Sequence, residues 1–236
     1  MCAWLFLLCS EAYCGDGPRL EPLRATPPTY NEIGFDVSYE SQTYPSLDVA
    51  LQDCREGRVW QAVCIAKQVF SIGGYDFISF VASWNEDGRP MMSTELLARE
   101  ITSGKTWSLF SVAIETGFGT TGHIEYFMSP AGTLLRVPVQ LSGTGAFNKH
   151  FHFLWHNGLW QEIDTQGWLR TVRLTPGHGI WKGVVVDLQA FTARSSVWRD
   201  GDGNCCPSGG EVEVKLTLKG RTLVIESQAY HPPPLK

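Results

Sequence analysis

Residues Glu211-Val-Glu-Val-Lys-Leu-Thr-Leu218 alternate polar and apolar side chains without a break. Successive side chains of an extended chain point to opposite faces, so the segment reads as a strand with one face buried and the other wet. Lys219-Gly220 supplies a turn, and Leu223 to Tyr230 returns as the second arm of a hairpin. A second hairpin is marked by Asn157-Gly158 between Phe151–His156 and Leu159–Asp164, because Asn-Gly accepts positive φ at both central turn positions. A two-residue turn there pairs Trp155 with Trp160, Phe153 with Glu162 and Phe151 with Asp164. Further strands are read at Gly34–Tyr39, Val59–Ile65, Tyr75–Ser83, Trp107–Glu115, His123–Met128, Leu134–Leu141 and Gly183–Ala193.

Two short helices are expected in the first half. Ser46 caps the first, Asp48 sits in its first turn, Leu47, Ala50, Leu51 and Cys54 share a face, and Gly57 ends it. The second is read from Ser93 as cap, with Leu96, Leu97 and Ile101 as its stripe, a Glu95–Arg99 pair, and Gly104 as terminator. With 24 Gly, 13 Pro and 9 Trp in 236 residues, the expected class is mainly β. Antiparallel sheets, sandwich-like or as two packed sheets, carry those two helices.

The apolar run Ala3–Cys9 followed by Ser10-Glu11-Ala12 reads as a truncated signal peptide over residues 1–12. An extended lead-in covers 13–44, a β-rich domain 45–230 with a subdivision near 104 or 145, and a tail 231–236. A membrane-crossing helix needs ~20 apolar residues, which this chain lacks, so no integral membrane segment is expected in the mature protein. A net charge of -5 repels a nucleic-acid duplex and argues against that partner. Of seven cysteines, Cys54, Cys64, Cys205 and Cys206 lie in the body, an even set that suits an oxidising compartment. The favoured pairing is Cys54 with Cys64 and a strained ring between Cys205 and Cys206. Its rival links each of the first pair to one of the second.

The tract Asp200-Gly-Asp-Gly-Asn-Cys-Cys-Pro-Ser-Gly-Gly210 is the most distinctive motif. Asp200, Asp202, Asn204 and Glu211 fall at the oxygen positions of a calcium loop, which makes Asp200, Asp202 and Asn204 candidate calcium ligands. Cys205 stands where such a loop needs Gly, and Glu211 starts a strand, so an Asp-Gly-rich turn held by its cysteines is the preferred reading. His150, His152 and His156 lie on one side of a strand, where two could chelate zinc or copper; without a local fourth ligand, a solvated polar face is preferred. Gly117-Phe-Gly-Thr-Thr-Gly122 fits a dinucleotide fingerprint in letters only, since no helix follows it to hold a pyrophosphate. Glu115 and Glu125 are candidates for an acid–base carboxylate pair. The tryptophans are candidates for sugar stacking if they face water.

From His156-Asn-Gly-Leu-Trp-Gln-Glu-Ile-Asp164 through Gly203-Asn-Cys-Cys-Pro-Ser-Gly-Gly210 to the final hairpin, residues 150–230 resemble a group of uncharacterised exported bacterial proteins. These carry a Cys-Cys-Pro-Ser/Thr turn ahead of a last β-hairpin. The resemblance implies export, periplasmic or secreted, and a β-rich domain; it implies no known activity. The leading expectation is an exported, non-enzymatic protein with a structural or binding role. A carbohydrate- or calcium-dependent binding module is the alternative, and a carboxylate-based hydrolase comes third.

Overall fold

The computed structural model describes residues 17–23, 35–39, 42–57, 63–142, 147–156 and 158–233. The signal-peptide reading, Cys2, Cys9 and Cys14 lie outside them. Three short strands, β1 (Arg19–Glu21), β2 (Phe35–Ser38) and β3 (Gln42–Tyr44), precede the helix α1 (Leu47–Gly57). Four long strands follow: β4 (Val63–Ile72), β5 (Tyr75–Glu86), β6 (Arg89–Glu100) and β7 (Thr106–Glu115). Next come β8 (Gly119–Thr121), β9 (Glu125–Ser129), β10 (Gly132–Val137), β11 (Val139–Leu141), β12 (Phe147–Asn148), β13 (Phe151–His156) and β14 (Leu159–Glu162). A 3-10 turn at Gly167–Arg170 leads to β15 (His178–Gly179), β16 (Val185–Asp187), β17 (Thr192–Ser196), β18 (Trp198–Arg199), β19 (Glu211–Lys219) and β20 (Thr222–His231).

These strands build a six-stranded sheet, β2-β7-β6-β5-β4 with β3 also on β7, and a five-stranded sheet, β1-β14-β13-β10-β9. A four-stranded sheet, β16-β17-β19-β20, and a three-stranded sheet, β12-β11-β8, complete the frame beside the small β15-β18 pair. Pairing is antiparallel apart from β1 on β14 and a bridge from Asp164 to Thr222. The main expectation, a mainly β chain of antiparallel sheets, holds.

Among the described residues there is one α-helix, not two. Ser46 Oγ accepts the Val49 N–H at 3.3 Å, and Ala50 and Cys54 bury against Ile78, Phe80, Ala82 and Leu97 of the six-stranded sheet. The expected second helix is instead β6. Its Leu96 belongs to one core and its Leu97 to another. A strand buried on both faces loses its alternation, and its apolar residues then imitate helical spacing. Arg99 pairs across the strands with Asp76 at 2.5 Å rather than along a helix with Glu95. The single strand expected over Gly183–Ala193 is a hairpin, β16 and β17. Asp187 Oδ1 accepts the N–H groups of Gln189 and Ala190 at 2.8 and 3.0 Å, and Phe191 takes φ 52°, which closes the turn.

Three cores stack in order. The first lies between α1 and the outer face of the six-stranded sheet. The second joins that sheet's inner face, through Phe77, Leu96, Phe110 and Val112, to Leu135, Val137, Phe153 and Trp160 of the five-stranded sheet. The third joins the other face of the five-stranded sheet, through Leu134, to Val212, Val214 and Leu216 of β19. The alternation read from residues 211–218 is realised: Val212, Val214 and Leu216 are buried, whereas Glu211, Glu213 and Lys215 are exposed.

Cys54 and Cys64 are disulfide-bonded, with ten residues of sequence separation, and tie α1 to β4. Closing so short a loop should stabilise the fold by about 2 kcal/mol. Replacing both by Ser is expected to lower the urea midpoint correspondingly; an unchanged midpoint would show that α1 docks by packing alone. A second prediction concerns Ser79, fully buried in the inner face of the six-stranded sheet, whose Oγ accepts the Ile124 N–H at 2.8 Å. Ser79→Ala leaves that amide without its partner and should cost about 1–3 kcal/mol of unfolding free energy.

Candidate functional site

Three strand pairs join the three-stranded sheet to the five-stranded one: β8 runs into β9 and β12 into β13, while β10 runs back into β11. Each breaks where it crosses. Pro138 interrupts β10–β11, lacking the N–H that a ladder requires. Three residues, 122–124, lie between the pairs Thr121–Val139 and Glu125–Arg136, opposite only two, 137 and 138. The extra residue acts as a bulge and bends the sheet.

Side chains from elsewhere satisfy the polar groups that this break releases. Ser79 takes the Ile124 amide and contacts His123 Nδ1 at 3.2 Å. Thr94 Oγ1 donates to the Gly122 carbonyl at 3.0 Å and also hydrogen-bonds the Thr121 hydroxyl. On the other side His150 Nδ1 accepts the Val139 N–H at 3.1 Å, which assigns the ring proton to Nε2. Gly119 makes the close approach: a Cβ there would lie 2.3 Å from the Gln140 carbonyl oxygen.

The bend opens two clefts that share one ion pair, Arg136 Nη2 to Glu125 Oε2 at 2.5 Å. The first, about 360 Å³, is lined by Thr120, Thr121, Gln140 and His150 together with the pair. The second, about 340 Å³, is lined by His152, Phe127, Asp187 and Gln189 together with the same pair. Glu125, Arg136 and His152 form a cross-strand row, since Arg136 stands opposite Glu125 on β9 and opposite His152 on β13. Arg136 Nε and His152 Nδ1 are buried and have no hydrogen-bond partner among the described residues.

Both imidazoles are held neutral. Burial pushes the His152 pKa down to about 3, and neighbouring His150 and Arg136 oppose its protonation further. Burial lowers that of His150 too, with Arg136 adding to the shift and Glu125 opposing it. The site therefore presents one compensated charge pair among uncharged donors and acceptors.

The sequence candidates scatter around this arrangement. His150 and His152 line separate clefts, with ring centroids 6.3 Å apart, and His152 is buried rather than on the solvated face expected of it. Glu125 is bound to Arg136, while Glu115 stands opposite Met91 at the end of β7, so the two carboxylates do not form the cross-strand pair considered for them. Residues 117–122 run into β8 without a helix. Asp164 leaves its hairpin after Glu162 and bridges to Thr222 instead of pairing with Phe151; the Trp155–Trp160 and Phe153–Glu162 pairs form as read.

The oxygens considered for calcium are engaged in the turn. Asp202 Oδ2 accepts the N–H groups of Arg199 and Ser208 at 2.7 and 2.8 Å, and Oδ1 accepts the Ser208 hydroxyl at 2.7 Å. These bonds hold its carboxyl below the usual carboxylate range. Asn204 Oδ1 accepts from Lys182 Nζ at 2.7 Å. Cys205 and Cys206 are exposed thiols, with the expected ring open in this structure. The turn is closed by Asp202 and needs no sulfur to close it. Among the described tryptophans Trp181 is the exposed one, at 48 %, stacked on Trp198 with centroids 5.8 Å apart.

Arg136 was not singled out from the sequence. The available signal was a lone charge inside Leu134-Leu-Arg-Val-Pro-Val139. No family model, no curated protein and no solved structure matches the chain.

The pH dependence of stability follows from His152. Between pH 6.5 and about 3 the unfolded chain binds a proton at this residue that the native state refuses. Stability from this group is complete above 6.5 and falls as pH drops, at about 1.4 kcal/mol per pH unit. His152→Leu should lose about 2.5 kcal/mol less than wild type between pH 7 and pH 4.5 in urea titrations. Parallel losses in the two proteins would remove His152 as the cause.

Proposed function

We propose that this chain is an exported, non-enzymatic binding protein that takes a small, uncharged, polyhydroxylated ligand such as a sugar in the paired clefts. The observation that carries the reading is the shared Glu125–Arg136 pair, set between two clefts of about 360 and 340 Å³. A guanidinium neutralised by its own carboxylate attracts neither anions nor cations strongly. It still offers donors and acceptors side by side, the pattern that vicinal hydroxyls need.

The remaining lining groups of the first cleft fit the same chemistry. Thr120 and Gln140 both donate and accept, and His150 is neutral with its proton on Nε2. The Cys54–Cys64 bond supports residence in an oxidising compartment, periplasmic or extracellular. Calcium dependence at Asp200, Asp202 and Asn204 is the weaker form of the idea, because Asp202 is already saturated by three donors.

Glu125 and Asp187 line the second cleft together, which is the observation in favour of a carboxylate-based hydrolase. Each is already committed: Glu125 to Arg136, and Asp187 to the two amides of its turn. Binding without turnover is the reading we favour.

Saturation-transfer NMR on the full chain with a panel of neutral mono- and disaccharides tests it. Ring-proton saturation is expected with wild type and with Trp181→Ala, and is expected to vanish with Arg136→Met. Signal that survives Arg136→Met, or that disappears with Trp181→Ala, would move the site elsewhere. Released reducing ends in the same tubes would favour hydrolysis.

A further inference from the structure

We propose that Cys205 and Cys206 form a reversible dithiol–disulfide centre that exchanges two electrons with small-molecule disulfides. The structure separates this pair from the architecture around it. The turn between β18 and β19 is closed by Asp202, which holds Arg199 and Ser208, and by Tyr230, whose hydroxyl donates to the Gly209 carbonyl at 2.5 Å. Backbone bonds finish it: Cys206 N–H to Gly203 O at 3.0 Å, Gly209 N–H to Val197 O at 2.8 Å, and Val197 N–H to Gly210 O at 2.9 Å. Gly209 and Gly210 are pressed so close to Val197 and His231 that a Cβ would lie 2.6 and 2.2 Å from their carbonyl oxygens. None of these contacts uses sulfur.

Both thiols face solvent and touch each other. The Cys206 S–H donates to Cys205, and this bond, with the neighbouring charge, pushes the Cys206 thiol pKa up. Adjacent in the chain and both open to solvent, the two can act in turn, with Cys205 as the attacking thiol and Cys206 as the resolving one.

The chemistry balances. The Cys205 thiolate attacks one sulfur of oxidised glutathione and expels the first glutathione thiol. Cys206 then loses its proton and attacks the mixed disulfide at Cys205, expelling the second. Two protein thiols are oxidised and one glutathione disulfide is reduced to two thiols. Consecutive Cα atoms lie about 3.8 Å apart, short of the span that an unstrained disulfide takes, so the ring is strained. Strained, exposed disulfides are the easily reduced ones, which makes the centre reversible where Cys54–Cys64 is structural.

The test equilibrates the folded full chain in glutathione buffers of graded ratio, traps free thiols with N-ethylmaleimide and maps tryptic peptides. Cleavage after Arg199 and Lys215 isolates Cys205 and Cys206 in one peptide without other cysteines. The expected result is a single two-electron transition in that peptide, from two alkylated thiols to an unalkylated form two hydrogens lighter than the free dithiol. The melting temperature should stay unchanged across it. Cys206→Ser should stop at a glutathione adduct on Cys205. The proposal is overturned if wild type stays doubly alkylated at every ratio or accumulates a stable mixed disulfide. A melting temperature that rises with ring closure would overturn it too, by making the ring a brace.

Discussion

Leu134 and Leu135 are neighbours on one strand and belong to different cores. A sheet buried on both faces must be apolar at every position that its neighbours cover, and β10 obeys for two residues before Arg136 breaks the pattern. That arginine lies on the Leu134 face, beyond the reach of the third core, and its charge is met by Glu125 across the strand. The second cleft is lined by Val186 and Asp187 of the four-stranded sheet together with the Glu125–Arg136 pair, and the first by residues of the three-stranded sheet and the same pair. Whatever the site binds, its location is decided by where burial stops.

The strand break sharpens that decision. A continuous ladder through Pro138 and the bulge at 122–124 would have left the surface flat. Breaking it exposed backbone groups inside a packed interface, where each needs a partner. Ser79 and Thr94, buried polar residues of the six-stranded sheet, supply two of them. His150 supplies another and is thereby fixed in one tautomer facing the first cleft. Structural repair and site construction are here the same set of hydrogen bonds.

The Asp200–Gly210 tract shows a comparable economy. Asp202 gathers three donors, and Gly209 and Gly210 allow close approach to the Val197 and His231 carbonyls. The oxygens that suggested a calcium loop are the turn's own acceptors, and the paired thiols are left at its exposed crest. The spacing of side-chain oxygens looks alike for a metal loop and for an Asx-type turn, since both place acceptors around a tight bend.

Several elements were legible in the residues alone. Alternation at 211–218, the capped face of residues 46–57 and the register expected for the hairpin of β13 and β14 each encode a local rule, and each is met. Where a segment is buried on both sides, as at residues 93–98, the period vanishes and strand passes for helix. The partners of Arg136, of Ser79 and of Thr94 lie on another strand or in the break at 122–124, 11 to 45 residues away in the chain. Local sequence therefore determined those elements that keep one wet and one dry face. Only the packing of sheet on sheet decided which faces were covered twice, which polar atoms met, and where a cleft was left open, because those depend on contacts that no local period records.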